Sequence, residues 1–374
     1  MDGIAKLKYK AFIIKLLFKF NRNTMLAHSP LAYLSRSLLL SVLVVISLSC
    51  DSQHAAGIAS NKDITIDSTL TPVIKEVPVP VLDTVLYNQK ILQMVHNQPF
   101  GGWPVKTEYP LPGALLPFNR VIAFYGNLYS KGMGILGAIP GEEMLDSLAR
   151  EVRRWEEADS LNAVIPALHY IAVTAQTEPG KGNKYRLRMP YHQIDKVIEL
   201  AQRMNAIVFL DIQLGHSTLA EEIPLLRNYL LLPNVHLGID PEYAMQGDDV
   251  PCVRIGTISE ADINYATAYL AQLVNENKLP PKILVVHRFT KGMVTGTEEV
   301  IIRPEVQIVM HMDGFGGKGK KISSYQLAIV SEPVQFAGFK LFYKNDRMEP
   351  KRPFIMSREE ILALNPVPLY IQYQ

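Results

Sequence analysis

Eight apolar runs alternating with helical stretches predict a single (β/α)8 barrel of parallel strands. Three observations carry this. The runs are near-continuous in Val, Ile and Leu, as in strands buried on both faces. The stretches between them repeat apolar residues at three- and four-residue spacing. The eight units fill roughly 255 residues, the size of one such barrel. An open doubly wound sheet is the rival, but no strand leads into a G-x-G-x-x-G turn. Gly314-Phe315-Gly316-Gly317 follows Asp313 with the wrong spacing for a dinucleotide and no P-loop lysine.

The chain opens with residues to be set aside from that barrel. Residues 38–48, LLLSVLVVISL, follow Arg36 and precede Ser49-Cys50, after which Asp51, Ser52 and Gln53 are polar. An eleven-residue apolar run is too short to span a bilayer as a helix, so this is the core of a secretion signal. Met25 is an alternative start behind the basic lead of Lys6, Lys8, Lys10, Lys15, Lys19 and Arg22. The small residue before Cys50 resembles the end of a bacterial lipobox. That resemblance implies a lipid on Cys50 as the mature N-terminus, and an envelope protein held at a membrane, the outer one before the inner. Residues 1–49 are then the leader and 50–80 a lipidated tether too poor in large apolar groups for a core. Residues 81–118 give a helix and an irregular lead-in, and 119–374 the barrel.

Charge narrows the partners. The leader holds seven of the 38 Lys and Arg and one of the 36 Asp and Glu, leaving 31 basic against 35 acidic residues. A net acidic domain is not one that binds nucleic acid. A carbohydrate or other small polar substrate is expected instead, with the membrane reached through the lipid. Cys252 is left without a partner for a disulfide and is expected as a small buried hydrophobe. There is no C-x-x-C, H-E-x-x-H or G-x-S-x-G, so no cofactor and no metal is expected.

The strands are expected at 121–125, 164–169, 207–211, 235–239, 283–287, 307–312, 339–343 and 369–373. The clearest helices are 142–157, 193–204, 219–230, 260–277 and 323–331, with a shorter one at 357–364 and a poor one at 297–302. In such a barrel the loops leaving the C-terminal strand ends surround one mouth, and the polar groups gather there. Successive ends read Tyr125-Gly126-Asn127, His169-Tyr170, Asp211-Ile212-Gln213, Asp240-Pro241-Glu242, His287-Arg288 and His311-Met312-Asp313. The seventh strand carries Lys340 and ends at Tyr343, and the eighth ends Gln372-Tyr373. Residues i and i+2 of a strand share a face, which pairs Asp211 with Gln213, Asp240 with Glu242 and His311 with Asp313. One buried histidine is ordinarily a satisfied core group, but four acids and three histidines at strand ends would cost several kcal/mol each if buried without partners or purpose. Arg186, Arg188 and His216 on flanking loops are expected to be solvated.

Gly238-Ile239-Asp240-Pro241-Glu242-Tyr243 resembles the fourth-strand signature of barrel glycoside hydrolases, including the chitinase-like families. The resemblance implies Glu242 as proton donor supported by Asp240. It departs from the longer chitinase run D-x-x-D-x-D-x-E, since Val235 and Gly238 stand at the two earlier acidic positions. The region from Val121 to Gln374 is also similar to uncharacterised secreted bacterial proteins with strand ends like LDIQ, LDPE and NxDGFG.

A glycan hydrolase is therefore the first expectation. Glu242 is the acid, Asp211 or Asp313 the second carboxylate, and Tyr125, His169, Gln213, His287, Arg288, His311, Tyr343 and Gln372 contact substrate. A phosphodiesterase using His169 and His287 with Arg288 on the phosphate is the second. A non-catalytic glycan- or partner-binding lipoprotein is the third.

Overall fold

The computed structural model describes residues 81–348 and 355–374. The leader, Cys50 and the tether lie outside the described residues. Among those described, no helix is long and apolar enough to cross a membrane.

The barrel strands are β1 (Asn119–Gly126), β2 (Ala163–Ala175), β3 (Ile207–Ile212), β4 (Val235–Ile239), β5 (Lys282–Arg288), β6 (Val306–Met312), β7 (Phe336–Leu341) and β8 (Tyr370–Tyr373). All eight pair in parallel with their neighbours in sequence. The barrel closes where β8 lies beside β1, with Val121 opposite Tyr370 and Phe124 opposite Tyr373. The expected fold class is observed: a closed parallel (β/α)8 barrel.

The helices form for local reasons. In α1 (Gly141–Ala158), Met144, Leu145, Leu148 and Trp155 make one buried stripe, and Ile194, Val197, Ile198 and Ala201 do the same in α2 (Tyr191–Gln202). In α3 (Glu260–Asn277), a capping box between Ser259 and Asp262 satisfies orphan N–H groups at the start. Residues 219–230 do not form one helix. Pro224, which lacks an N–H, lies in a 3-10 turn (Ile223–Leu226) between two single helical turns. The helix expected at 323–331 begins earlier, as α4 (Lys318–Tyr325), and widens into a π-turn over Gln326–Val330. The segment 297–302 makes only the 3-10 turn Thr297–Glu299.

Two strands differ from expectation. β2 does not stop at His169 but continues to Ala175, because Ala172 and Val173 are also apolar and the extension pairs antiparallel with Arg186–Arg188. His169 is thus mid-strand, opposite Tyr125. β7 starts three residues before its expected position, at Phe336, and ends at Leu341.

The lead-in is anchored. Asp83 caps the first helix, Thr84–Gln93, by accepting from the Leu86 N–H. Further on, Gln307 at the start of β6 accepts from the Leu115 and Leu116 amides at 3.0 Å each and donates to the Leu116 carbonyl at 2.6 Å. Residues 111–117 are thereby fixed at the N-terminal end of the barrel.

Candidate active site

Strand parity aims Tyr125, His169, Asp211, His287, His311, Lys340 and Gln372 into the barrel, and all seven are buried. Asp211 is their centre. Its Oδ2 accepts from the Tyr125 hydroxyl at 3.2 Å. Its Oδ1 lies 3.3 Å from Nε2 of His169 and 3.5 Å from Nε2 of His287. Neither approach is aligned as a hydrogen bond, and the three atoms have no hydrogen-bond partner.

Each histidine is held by its other nitrogen. Nδ1 of His169 is 2.6 Å from the Tyr370 hydroxyl, which also accepts from Gln372 at 3.0 Å. Nδ1 of His287 is 3.1 Å from Oδ2 of Asp313 and 3.0 Å from Nδ1 of His311. Lys340 completes the network, with Nζ 3.0 Å from Oδ1 of Asp313 and 3.8 Å from the centre of the Tyr125 ring.

Nearer the rim, the spacing of Asp240 and Glu242 has a different cause from the one expected. β4 ends at Ile239, and Pro241–Tyr243 is a 3-10 turn in which Asp240 accepts from the Glu242 backbone N–H at 3.2 Å. The two acids are neighbours through this cap, not through strand alternation. Gln213, the residue after β3, donates to Oδ2 of Asp240 at 3.2 Å and fixes it. Glu242 keeps partial exposure, and the Asp313 side chain is 8% exposed.

The acids divide into two protonation classes. Burial, reinforced by the charges of Asp240 and Asp313, pushes Glu242 up to about 8, and burial raises Asp240 to about 7. Burial would raise Asp211 and Asp313 too, but the His287 charge at the first and Lys340 at the second outweigh it and hold both below the usual carboxylate range. His287 is raised to about 10 because Asp211 and Asp313 overcome its desolvation, whereas burial lowers His169 to about 4.

Several expected residues are placed elsewhere. Arg288 points away from the barrel interior, donating to the carbonyls of Thr290, Lys291 and Val294 and pairing with Glu332. Tyr343 stacks on Tyr373 at 5.3 Å and meets Phe124 edge-on, on the helix side of the sheet. Cys252 is exposed, not buried; it has φ +69° in the turn bridging Pro251 and Arg254, which leaves its side chain in solvent. Arg186 is not solvated: its Nε lies 2.7 Å from the buried Glu222, which Arg188 also contacts at 2.7 Å. His216 lies 2.6 Å from the Asp249 carbonyl.

Sequence reasoning missed the roles of Lys340, Tyr370 and Gly238. Parity alone would have faced Lys340 and Tyr370 inward with Gln372. Gly238 is opposite Asp211 in the register, and a Cβ there would lie 2.4 Å from Asp211 Oδ1 and 2.5 Å from His169 Nε2. Only glycine leaves that space open. Comparison of the chain with protein-family models and with curated proteins finds no match.

Proposed function

We propose that the chain is an envelope hydrolase, tethered through lipid on Cys50, that cleaves a glycosidic bond with Glu242 as proton donor. The observation that supports this is the division of the mouth's carboxylates into a protonated pair and an ionised pair. Glycoside cleavage needs one carboxylic acid to protonate the leaving oxygen and one carboxylate to attack or to activate water. Glu242 is held protonated near neutrality and is partly exposed. Asp313 is the ionised carboxylate two residues beyond His311 at the end of β6, with its side chain 8% exposed against 0% for Asp211, so it takes the second role. Asp211, wholly buried, holds the histidines and Tyr125 in place. Asp240, which loses its proton before Glu242 does, then adds a negative charge that keeps the Glu242 proton on.

The phosphodiester alternative is less well supported, because the arginine it needs on the phosphate is committed to Glu332. A panel of glycan and phosphodiester substrates, run on wild type beside Glu242→Gln, tests the reading. Glycan turnover should fall by about 10²-fold or more with the fold intact, since a positioned general acid supplies roughly 10²–10⁴-fold. Turnover unchanged by the substitution, or binding of glycans without cleavage, would remove the proton-donor assignment.

A further inference from the structure

We propose that His169, Asp211 and His287 form a binding site for a divalent transition-metal ion of the zinc type inside the barrel. The three atoms that face one another are Nε2, Oδ1 and Nε2, all within 4.8 Å of each other. Zinc takes nitrogen and oxygen ligands at about 2.0–2.2 Å, so the edges of its tetrahedron are about 3.3–3.6 Å. The edges from Asp211 Oδ1 to the two imidazole nitrogens are 3.3 and 3.5 Å.

These are metal-ligand edges more than hydrogen bonds. At such distances the same atoms could hydrogen-bond, yet all three are buried without an aligned hydrogen bond. Orphaned polar atoms in a dry interior are costly, and three that converge on one point would be satisfied together by one cation.

The surrounding groups have the arrangement a metal centre needs. A ligating imidazole is held by a partner on its other nitrogen, which fixes tautomer and ring orientation. His287 has Asp313 on Nδ1 at 3.1 Å, and His169 has the Tyr370 hydroxyl at 2.6 Å. The second oxygen of Asp211 is taken by Tyr125 at 3.2 Å. Every non-facing atom of the three residues thus has a neighbour outside the trio, and the facing atoms have only one another, without an aligned hydrogen bond. Two imidazoles with one carboxylate suit zinc and its neighbours, not calcium or magnesium, which take oxygen ligands. Three protein ligands leave a fourth position for water or substrate, as in catalytic zinc sites.

Gly238 supplies the remaining observation. A Cβ at this position would fall 2.4 Å from one of the three ligand atoms and 2.5 Å from another. The backbone of β4 therefore yields the volume into which they point.

The site is tested by binding alone and does not depend on the role of Glu242. The untagged mature chain is stripped with chelator, then titrated with Zn²⁺ by calorimetry and with Co²⁺ by visible absorption. One equivalent per chain is expected, with the intense Co²⁺ bands of a four-coordinate site and a melting temperature raised by metal. Loss of an outer partner alone costs roughly 10–100-fold in affinity, so Asp211→Asn and His287→Gln should weaken binding by about 100-fold or more. Gly238→Ala retains all three ligands and should also weaken it, while Glu242→Gln should bind as wild type. Wild type that takes up no equivalent, or ligand variants and Gly238→Ala that all bind as wild type does, would overturn the site. Should the ligand variants fail to fold, wild-type stoichiometry and Gly238→Ala decide it.

Discussion

Asp313 is shared between two basic side chains: its Oδ2 lies 3.1 Å from Nδ1 of His287, and its Oδ1 3.0 Å from Nζ of Lys340. The Lys340 side chain is 2% exposed and that of Asp313 8%. In so dry a setting, removing one partner leaves the other charge unpaired, which costs more than the pair contributes. Asp313→Asn should therefore destabilise the fold by about 3–5 kcal/mol. Asp313→Asn with Lys340→Met should recover a large part of that loss, because both charges are gone. Urea melts of the two variants and of Lys340→Met alone form the cycle; a double-variant loss equal to the sum of the two single losses would show that the pair is not coupled.

A second buried carboxylate secures the arm that leaves β2. Glu222, almost fully buried, holds Nε of Arg186 and of Arg188 at 2.7 Å each and accepts from the Ser217 hydroxyl. Arg188, though 41% exposed, grips both carboxylate oxygens, and Arg186 adds a buried contact from the same arm. Glu222→Gln should cost about 3 kcal/mol and loosen residues 177–188. Limited proteolysis should then cut there first, and unchanged protection would place the anchor of that arm elsewhere.

The parts of this fold legible in the sequence are those set by local periodicity. Apolar runs located all eight strands, and strand parity put Asp211 with Gln213 and His311 with Asp313, because both depend only on neighbouring residues. Where a strand ends was less legible. β2 overran His169 because Val173 finds a partner in Arg188, fifteen residues further along the chain and beyond the reach of local periodicity. Asp240 and Glu242 looked like strand alternation but are joined by a side-chain cap, which the same D-x-E spacing permits. The convergence of His169, Asp211 and His287 was not legible, since it depends on how the barrel staggers its strands. That stagger puts Asp211 opposite Gly238 and His287 opposite His311.

Closure makes the last strand indispensable. β8 pairs with both β1 and β7, and Tyr370 and Ile371 are fully buried. Deleting the last eight residues would open two edges of unpaired backbone groups, and such edges aggregate. Insoluble or molten protein is expected, read by size exclusion and near-ultraviolet circular dichroism. A gentler variant tests the outer face. The Tyr373 hydroxyl accepts from Trp155 Nε1 at 2.9 Å and donates to Glu151 at 2.6 Å. Tyr373→Phe leaves the indole N–H buried without an acceptor, which should cost about 1–3 kcal/mol. A melt equal to wild type would show that Trp155 re-pairs.

Glu242 gives the fold a dependence on pH opposite in sign to that of a salt-bridged carboxylate. Its ordinary value is 4.5, and in the folded chain burial and the charges of Asp240 and Asp313 push it up to about 8. Between those two values the folded state keeps a proton that the unfolded chain has lost. Stability then falls as pH rises, because the unfolded state binds fewer protons. Below the lower value Glu242 is protonated in both states, and above the higher one it is ionised in both, so its effect is flat outside the window. Glu242→Gln removes this contribution and should gain stability over wild type steadily from about pH 5 to pH 8, with no further gain beyond. Asp240, raised to about 7, adds a slope of the same sign in both proteins and cancels to first order in the comparison. Urea melts at unit steps from pH 5 to pH 9 measure the difference. If Glu242 is also the proton donor, kcat/KM should fall above about pH 8 as that proton is lost. Parallel stability profiles for the two proteins would mean that Glu242 is already ionised near neutrality, and a carboxylate that has lost its proton there cannot protonate a leaving group.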